Sequence, residues 1–347
     1  MEALHSRARW RIYLTIGTFV ALAILVYSLR KDIANVIDNL GKIDIVFLLL
    51  MIPLQFLNYD AYSRLFRSLF KILGKDVSYK SMFKFNLELN FVNHILPSGG
   101  VSGISYFNVR CKSLGISTAT STTAQVTKLL LLYTSFQPLL IIGLILLAVR
   151  GHTNNLILVV ATALITLLVV GTFLAIYVAE DRHRINSTLT FLTRVLNRII
   201  HLVRPKYPET INIPNAQMAF NELHDNYKIF KNNLKQLKWP FFYMTVANLT
   251  EVASVYVVYM AFGQFVNLGA VIIAYAVANF AGLISVLPAG IGIYEGLMTA
   301  ILAACGIPAA LSIPVTIMYR VVNMFIQLVP GYFFYQRAVR NGLSERP

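Results

Sequence analysis

Apolar runs of roughly 18 to 25 residues recur from one end of this chain to the other, and that recurrence decides its environment. Each run is long enough to cross about 30 Å of hydrocarbon as a helix. The reading is an all-α polytopic membrane protein with about six full spans and two re-entrant helical hairpins arranged as an inverted repeat. Charge agrees: Asp, Glu, Lys and Arg make up 13% of the chain and mean hydropathy is +0.64, where a soluble domain carries about 25% charge. The net charge of +15 would suggest nucleic acid in a soluble chain. Here it is a topological excess that favours anionic lipid head groups, and no nucleic-acid partner is expected.

The expected spans are 12–29, 43–62, 117–149, 155–179, 240–262 and 312–336. The first apolar run is about 18 residues long, longer than the h-region of a signal peptide, and reads as an uncleaved span. Most of the 30 Lys and Arg residues fall in the N-terminal segment, 64–84, Arg110 and Lys112, 182–238 and the tail. Placing these segments on the cytoplasmic side gives a multi-pass protein of the cell membrane with both termini inside. Residues 84 and 110 then share a side, so the half-polar stretch 82–107 enters and leaves by the same face. The stretch 268–305 does the same from the opposite face. Non-helical backbone at that depth requires surrounding protein or a water-filled cavity.

The two tips match. The first reads "NHILPSGGVSG" (93–103) and the second "ISVLPAGIGIYEG" (284–296). Paired Gly/Pro-interrupted segments in two halves point to a transporter whose site lies between them. The chain divides into a first membrane half, 1–179, a cytoplasmic amphipathic hairpin, 180–238, and a second membrane half, 239–347. In the middle segment Leu189, Leu192, Leu196, Ile199 and Val203 share one helical face. Phe220, Leu223, Tyr227, Phe230, Leu234 and Leu237 form a second stripe. Both are expected to rest on the membrane or on the spans.

Ionisable groups inside spans mark functional sites by default. Glu295 follows the glycine-rich break of the second hairpin, and Arg320 lies in the span after it; the two are expected to pair. Glu251 and Asn248 come from the preceding span. Asn93, Ser98, Gly99 and Gly100 surround the first break, and Pro288, Gly290 and Gly292 the second. The glycines permit close backbone approach, and half-helices that start there present free N–H groups to anions. These eleven residues form the expected head-group site. Glu88, Asn90, Lys128, Asn279 and Asn323 add further polar groups at depth. Lys128 is expected to snorkel towards the cytoplasmic surface. His94 is expected to be a hydrogen-bonded interior residue, and Asp60 and Arg64 to pair at the interface. Cys111 and Cys305 are too few for a metal site and are expected at different depths. No nucleophile elbow, HExxH, Walker or dinucleotide motif is present in the sequence, and no cofactor is expected.

With "MYRVVNMFIQLVPGYFF" (318–334) added, these motifs resemble the membrane domain of the lysylphosphatidylglycerol synthase/flippase family over nearly the whole chain. The first motif departs from common members, which carry an arginine soon after the glycines; Ile104, Ser105 and Tyr106 stand there. The resemblance implies a stand-alone flippase-like unit without the synthase domain: a transporter, not an enzyme, moving an anionic, aminoacylated or polyprenyl-linked lipid between leaflets. Implied partners are the lipid head group and bilayer, with a separate lipid-modifying enzyme or a second copy of the chain as further possibilities. A membrane-embedded partner or transferase subunit in lipid or glycolipid biosynthesis remains the alternative.

Overall fold

Pro53 has no N–H to return to the turn before it, and the chain bends at Leu50, separating α1 (Ile45–Leu49) from α2 (Met51–Ile72). The computed structural model describes residues 43–95, 101–149, 155–203, 213–284 and 292–340, with Tyr27, Arg30, Lys31, Ala34 and Gly41. The expected first span, 12–29, lies outside these apart from Tyr27. Asp44 caps α1 through Val46 N–H at 2.9 Å. α2 runs ten residues beyond the apolar segment that ends at 62. The extension is amphipathic: Leu65, Phe66, Leu69 and Phe70 are buried while Arg64, Arg67 and Lys71 are exposed, so packing continues past the hydrocarbon edge. Asp60 accepts from Arg64 at 2.7 Å and from Tyr79 at 2.6 Å at this border.

Helix then follows helix: α3 (Tyr79–Ile95), α4 (Val101–Ser113), α5 (Thr118–Val149), α6 (Asn155–Glu180), α7 (Arg182–Val203), α8 (Ile213–Asn232), a 3-10 turn (Leu234–Leu237), α9 (Lys238–Ala261), α10 (Leu268–Ile284), α11 (Ile293–Ala304) and α12 (Ala309–Arg340). No strand occurs among the described residues. Five segments are long and apolar enough to cross a membrane: Ile45–Ile72, Thr118–Val149, Asn155–Glu180, Leu234–Ala261 and Ala309–Arg340. The two stretches expected to be re-entrant each resolve into a pair of shorter helices, α3/α4 and α10/α11.

The set α2–α5 recurs as α9–α12. Helix lengths are 22, 17, 13 and 32 residues in the first and 24, 17, 12 and 32 in the second. The turns recur as well. Gly74 and Gly263 end the leading helices with φ of 74° and 70°, and Gly115 and Gly306 follow the third helices of the sets, α4 and α11, with φ of 74° and 84°. Each sits in the same C-terminal motif, in which the next N–H reaches back to close the last turn: Lys75 to Phe70 O, Gln264 to Tyr259 O, Ile116 to Cys111 O and Ile307 to Leu302 O, at 2.8 to 3.0 Å. Left-handed φ at these four positions selects glycine.

Packing exchanges elements between the two sets. α2 lies against α9; α3 packs on α12, and α10 packs on α5. Phe91 meets Tyr335 at 5.2 Å in the first cross-contact, and Phe136 meets Phe280 at 5.6 Å in the second. Backbones come close at both. A Cβ on Gly331 would lie 2.7 Å from Leu87 O and from Phe91 Cβ, and the position of a Cβ on Gly269 is taken by Gly143 O. Such small-residue contacts are how helices gain dispersion energy where lipid removes the hydrophobic drive.

α7 and α8 dock on the Thr118 end of α5 and the Glu180 end of α6. Asn226 donates to Thr123 at 3.0 Å, Arg182 pairs with Asp225 at 2.5 Å, Lys231 pairs with Glu180, and Ser117 binds Glu222. Asp181 caps α7 through the N–H groups of Arg184 and His183, which hold its carboxyl below the usual range; the Arg182 hydrogen bond does the same for Asp225. Of the stripe read on α7, Leu189 is half-buried and Leu192 exposed, and a polar face packs beside it. Thr190, Thr193 and Asn197 are buried, whereas Phe191, Leu192 and Val195 are 64%, 47% and 38% exposed. Polar contacts such as Asn186 to Asn221, at 3.0 Å, hold α7 to α8.

Candidate functional site

Gly292, in the left-handed region at φ 86°, starts α11, and its N–H donates to Glu295 Oε2 at 2.7 Å. Glu295 thereby closes the first turn with its own side chain. Its other oxygen takes an ion pair with Arg320 of α12. The Arg320 guanidinium stands 4.9 Å over the ring of Tyr294. Both charged side chains are mostly shielded, at 11% exposure for Arg320 and 21% for Glu295. From the other set, His94 near the end of α3 lies within electrostatic reach of Arg320 and bonds Asn90 O through Nδ1 at 2.8 Å. Arg320 is thus where the start of α11 and the end of α3 converge.

One residue earlier, Tyr319 donates to Glu251 Oε2 of α9 at 2.8 Å. From there a string of hydrogen bonds crosses three helices. Asn323 reaches Tyr319 Oη at 3.4 Å, and Gln327 reaches Asn323 Oδ1 at 3.1 Å and Gln55 Oε1 at 3.2 Å. Gln55 reaches Ser254 Oγ at 3.4 Å. Asn58 donates to Thr250 at 2.9 Å beside it. Gln55 and Gln327 are 1% and 6% exposed, so the string is interior.

The structure therefore joins Glu295, Arg320, Gly292 and Glu251. It draws Asn248 elsewhere: that amide donates to Ser135 of α5 at 2.8 Å, in the α5–α9 contact. Asn93 fills the space that a Cβ on Gly103 would occupy and so bridges α3 to α4. Ser98, Gly99, Gly100, Pro288 and Gly290 lie outside the described residues. Arg110, placed on the cytoplasmic side by the charge reading, is buried. It binds Glu88 at 2.8 and 3.1 Å, and Tyr106 adds a 2.7 Å bond to the same carboxylate. Lys128 does not reach for the surface but places Nζ 5.4 Å over the Tyr62 ring. Several participants were not singled out in the sequence, among them Gln55, Gln327 and the Tyr319 hydroxyl. An amide in the middle of an apolar run is the signal that finds the first two. The third is hidden because tyrosine counts as apolar in a hydropathy reading.

Among the described residues no group of three or more His, Cys, Asp or Glu side chains is placed to hold a metal ion. What the arrangement offers is a shielded charge pair at a helix start, one residue along α12 from a string of neutral donors and acceptors.

A multi-pass helical membrane protein with a polar interior is the class these features define. The chain belongs to the family described as the lysylphosphatidylglycerol synthase TM region, whose model matches residues 14–331. It is similar to a UPF0104 membrane protein of Methanocaldococcus jannaschii, 23% identical over 329 residues that cover 92% of each chain. It is likewise similar to a UPF0104 membrane protein of Methanothermobacter thermautotrophicus, 22% identical over 91% of each. A third, from Pyrococcus horikoshii, is 19% identical over 92% of this chain and 94% of its own.

Proposed function

We propose that the protein moves a lipid with an anionic head group between the leaflets of its membrane. In this reading α3/α4 and α10/α11 are re-entrant hairpins entering from opposite faces, and the two sets are inverted copies. Helices of 12 or 13 residues reach about 20 Å, short of the roughly 30 Å of hydrocarbon, which supports hairpins over spans. The single observation that carries the functional reading is the Glu295–Arg320 pair at the start of α11. The carboxylate occupies the position an incoming phosphate would take: hydrogen-bonded to the helix start and paired with a guanidinium. A head group that replaces Glu295 at Arg320 leaves no cation unpaired at any stage, while the acyl chains stay in the bilayer.

The test is leaflet exchange in liposomes holding labelled phospholipids, an aminoacylated phospholipid and a polyprenyl phosphate. Wild type is compared with Arg320→Gln, Glu295→Gln and protein-free vesicles. Transport by wild type that falls at least tenfold in Arg320→Gln, for folded protein, supports the reading. Equal exchange in all three proteins returns the pair to a purely structural role. The alternative of a docking subunit draws on the outward apolar face of α7; it gains weight if deletion of 182–237 abolishes association with a lipid-modifying enzyme and leaves exchange intact.

A further inference from the structure

Glu251 stands midway along α9, and its surroundings differ from those of every other buried carboxylate described above. Glu88 has Arg110 and Glu295 has Arg320. Among the described residues no Lys, Arg or His forms an ion pair with Glu251. Its hydrogen-bond donor is neutral, the Tyr319 hydroxyl at 2.8 Å, and the Gln55 amide lies within its electrostatic reach. Five tyrosines come towards it from the elements that pack there, and one of them, Tyr319, bonds it. Tyr59 and Tyr62 come from α2, Tyr275 from α10, Tyr294 from α11 and Tyr319 from α12, all within electrostatic reach of the carboxylate. Two cations sit at these tyrosines: Lys128 of α5 over the ring of Tyr62, and Arg320 over that of Tyr294. α1 and the 3-10 turn meet the two ends of α9, away from Glu251.

A carboxylate at this depth with no ion-pair partner among the described residues is costly, by a few kcal/mol or more, and a proton is the smallest ligand that removes the cost. We infer that Glu251 is a proton-binding site and that its occupancy drives the lipid movement proposed above, on which this inference rests. The step is simple in its balance. Water on one face supplies a proton, an O–H bond forms on the Glu251 carboxyl and its charge is lost. The same bond breaks on the other face and the proton returns to water. The geometry links this event to the site: Tyr319, which donates to Glu251, is the chain neighbour of Arg320. A carboxylate that becomes a carboxylic acid weakens its hold on Tyr319 and frees the turn of α12 that carries the guanidinium.

Two measurements test this. The first uses dicyclohexylcarbodiimide, which adds to protonated carboxylic acids in apolar surroundings. The full-length protein in detergent is labelled between about pH 5 and 9, and the adduct on Glu251 is mapped by mass spectrometry. Labelling that is high in acid and declines through a midpoint in this range is expected, with the midpoint displaced in Tyr319→Phe. Labelling that is absent or constant across the range overturns the proposal, without bearing on transport. The second measures leaflet exchange of the same lipid panel with and without an imposed pH gradient. Wild-type exchange that changes at least fivefold with the gradient, beside gradient-indifferent exchange in Glu251→Gln, is the supporting result. Wild-type exchange that ignores the gradient overturns proton coupling and leaves lipid transport standing. No exchange of any lipid by wild type refutes the transport reading, and this inference falls with it.

Discussion

Arg110 and Arg320 show how position within a helix decides what a cation does. Arg110 lies against Glu88, both almost fully buried at 6% and 3% exposure, and Tyr106 completes the carboxylate's hydrogen bonds. Twenty-two residues separate the partners, which lie on successive helices, so no spacing rule connects them in the sequence. Glu295 and Arg320 were connected in the sequence because each is the lone charge in its apolar segment. The two pairs should respond differently to mutation. Removing one partner of the dry pair, as in Glu88→Gln or Arg110→Met, is expected to destabilise by about 3–5 kcal/mol. The double variant should recover most of that loss, because both charges leave together. Thermal unfolding in detergent is the check; an additive double variant would show that the pair acts independently of its charges. Gln55 and Gln327 teach the complementary lesson: single amides inside apolar runs vanish into an average, although they are what ties α2 to α12.

At the scale of elements, apolar length reads well and polar packing reads poorly. The expected spans 117–149, 155–179, 240–262 and 312–336 coincide within a few residues with α5, α6, α9 and α12, because a helix in lipid has to be apolar for its full crossing. α2 outran its apolar segment because its continuation is held by protein rather than lipid, through Leu65, Phe66, Leu69 and Phe70. α7 leaves Phe191, Leu192 and Val195 exposed, while its contact with α8 includes an amide pair, Asn186 and Asn221, that periodicity does not show. Glycines separate the same two situations. Gly331 of α12 lies against the backbone of α3, whereas Gly171 of α6 has nothing within 4 Å of where a Cβ would stand. Gly331→Ala is expected to lower stability by about 1–3 kcal/mol, as overpacking does. Gly171→Ala should instead raise it by about 0.5–1 kcal/mol, the helix-propensity gain. Melting temperatures of the two variants decide it; equal shifts would mean that the α3–α12 contact yields freely.

For the whole molecule, the repeat makes a prediction about sidedness. With re-entrant hairpins, Lys75 and Lys112 flank α3/α4 on one face, and Gln264 and Pro308 flank α10/α11 on the other. All four are exposed, and the native Cys111 and Cys305 are buried. Single cysteines at these positions should react with a membrane-impermeant thiol reagent in two matched pairs, from opposite sides of sealed vesicles. Lys75→Cys and Lys112→Cys reacting from different sides would instead make α3/α4 an odd crossing and cancel the inverted arrangement. The exchange of elements between the sets has one more outcome, and it concerns biogenesis. α3 finds its packing surface on α12, the last of the described helices to leave the ribosome. Until then its polar residues, Asn90 and His94 among them, sit in a half-built protein with no cover from the second set. The newborn chain must be sheltered at the insertion machinery through synthesis of both halves, and a ribosome that stalls before Ala309 leaves a fragment with no closed interior, fit for the membrane protease rather than for use.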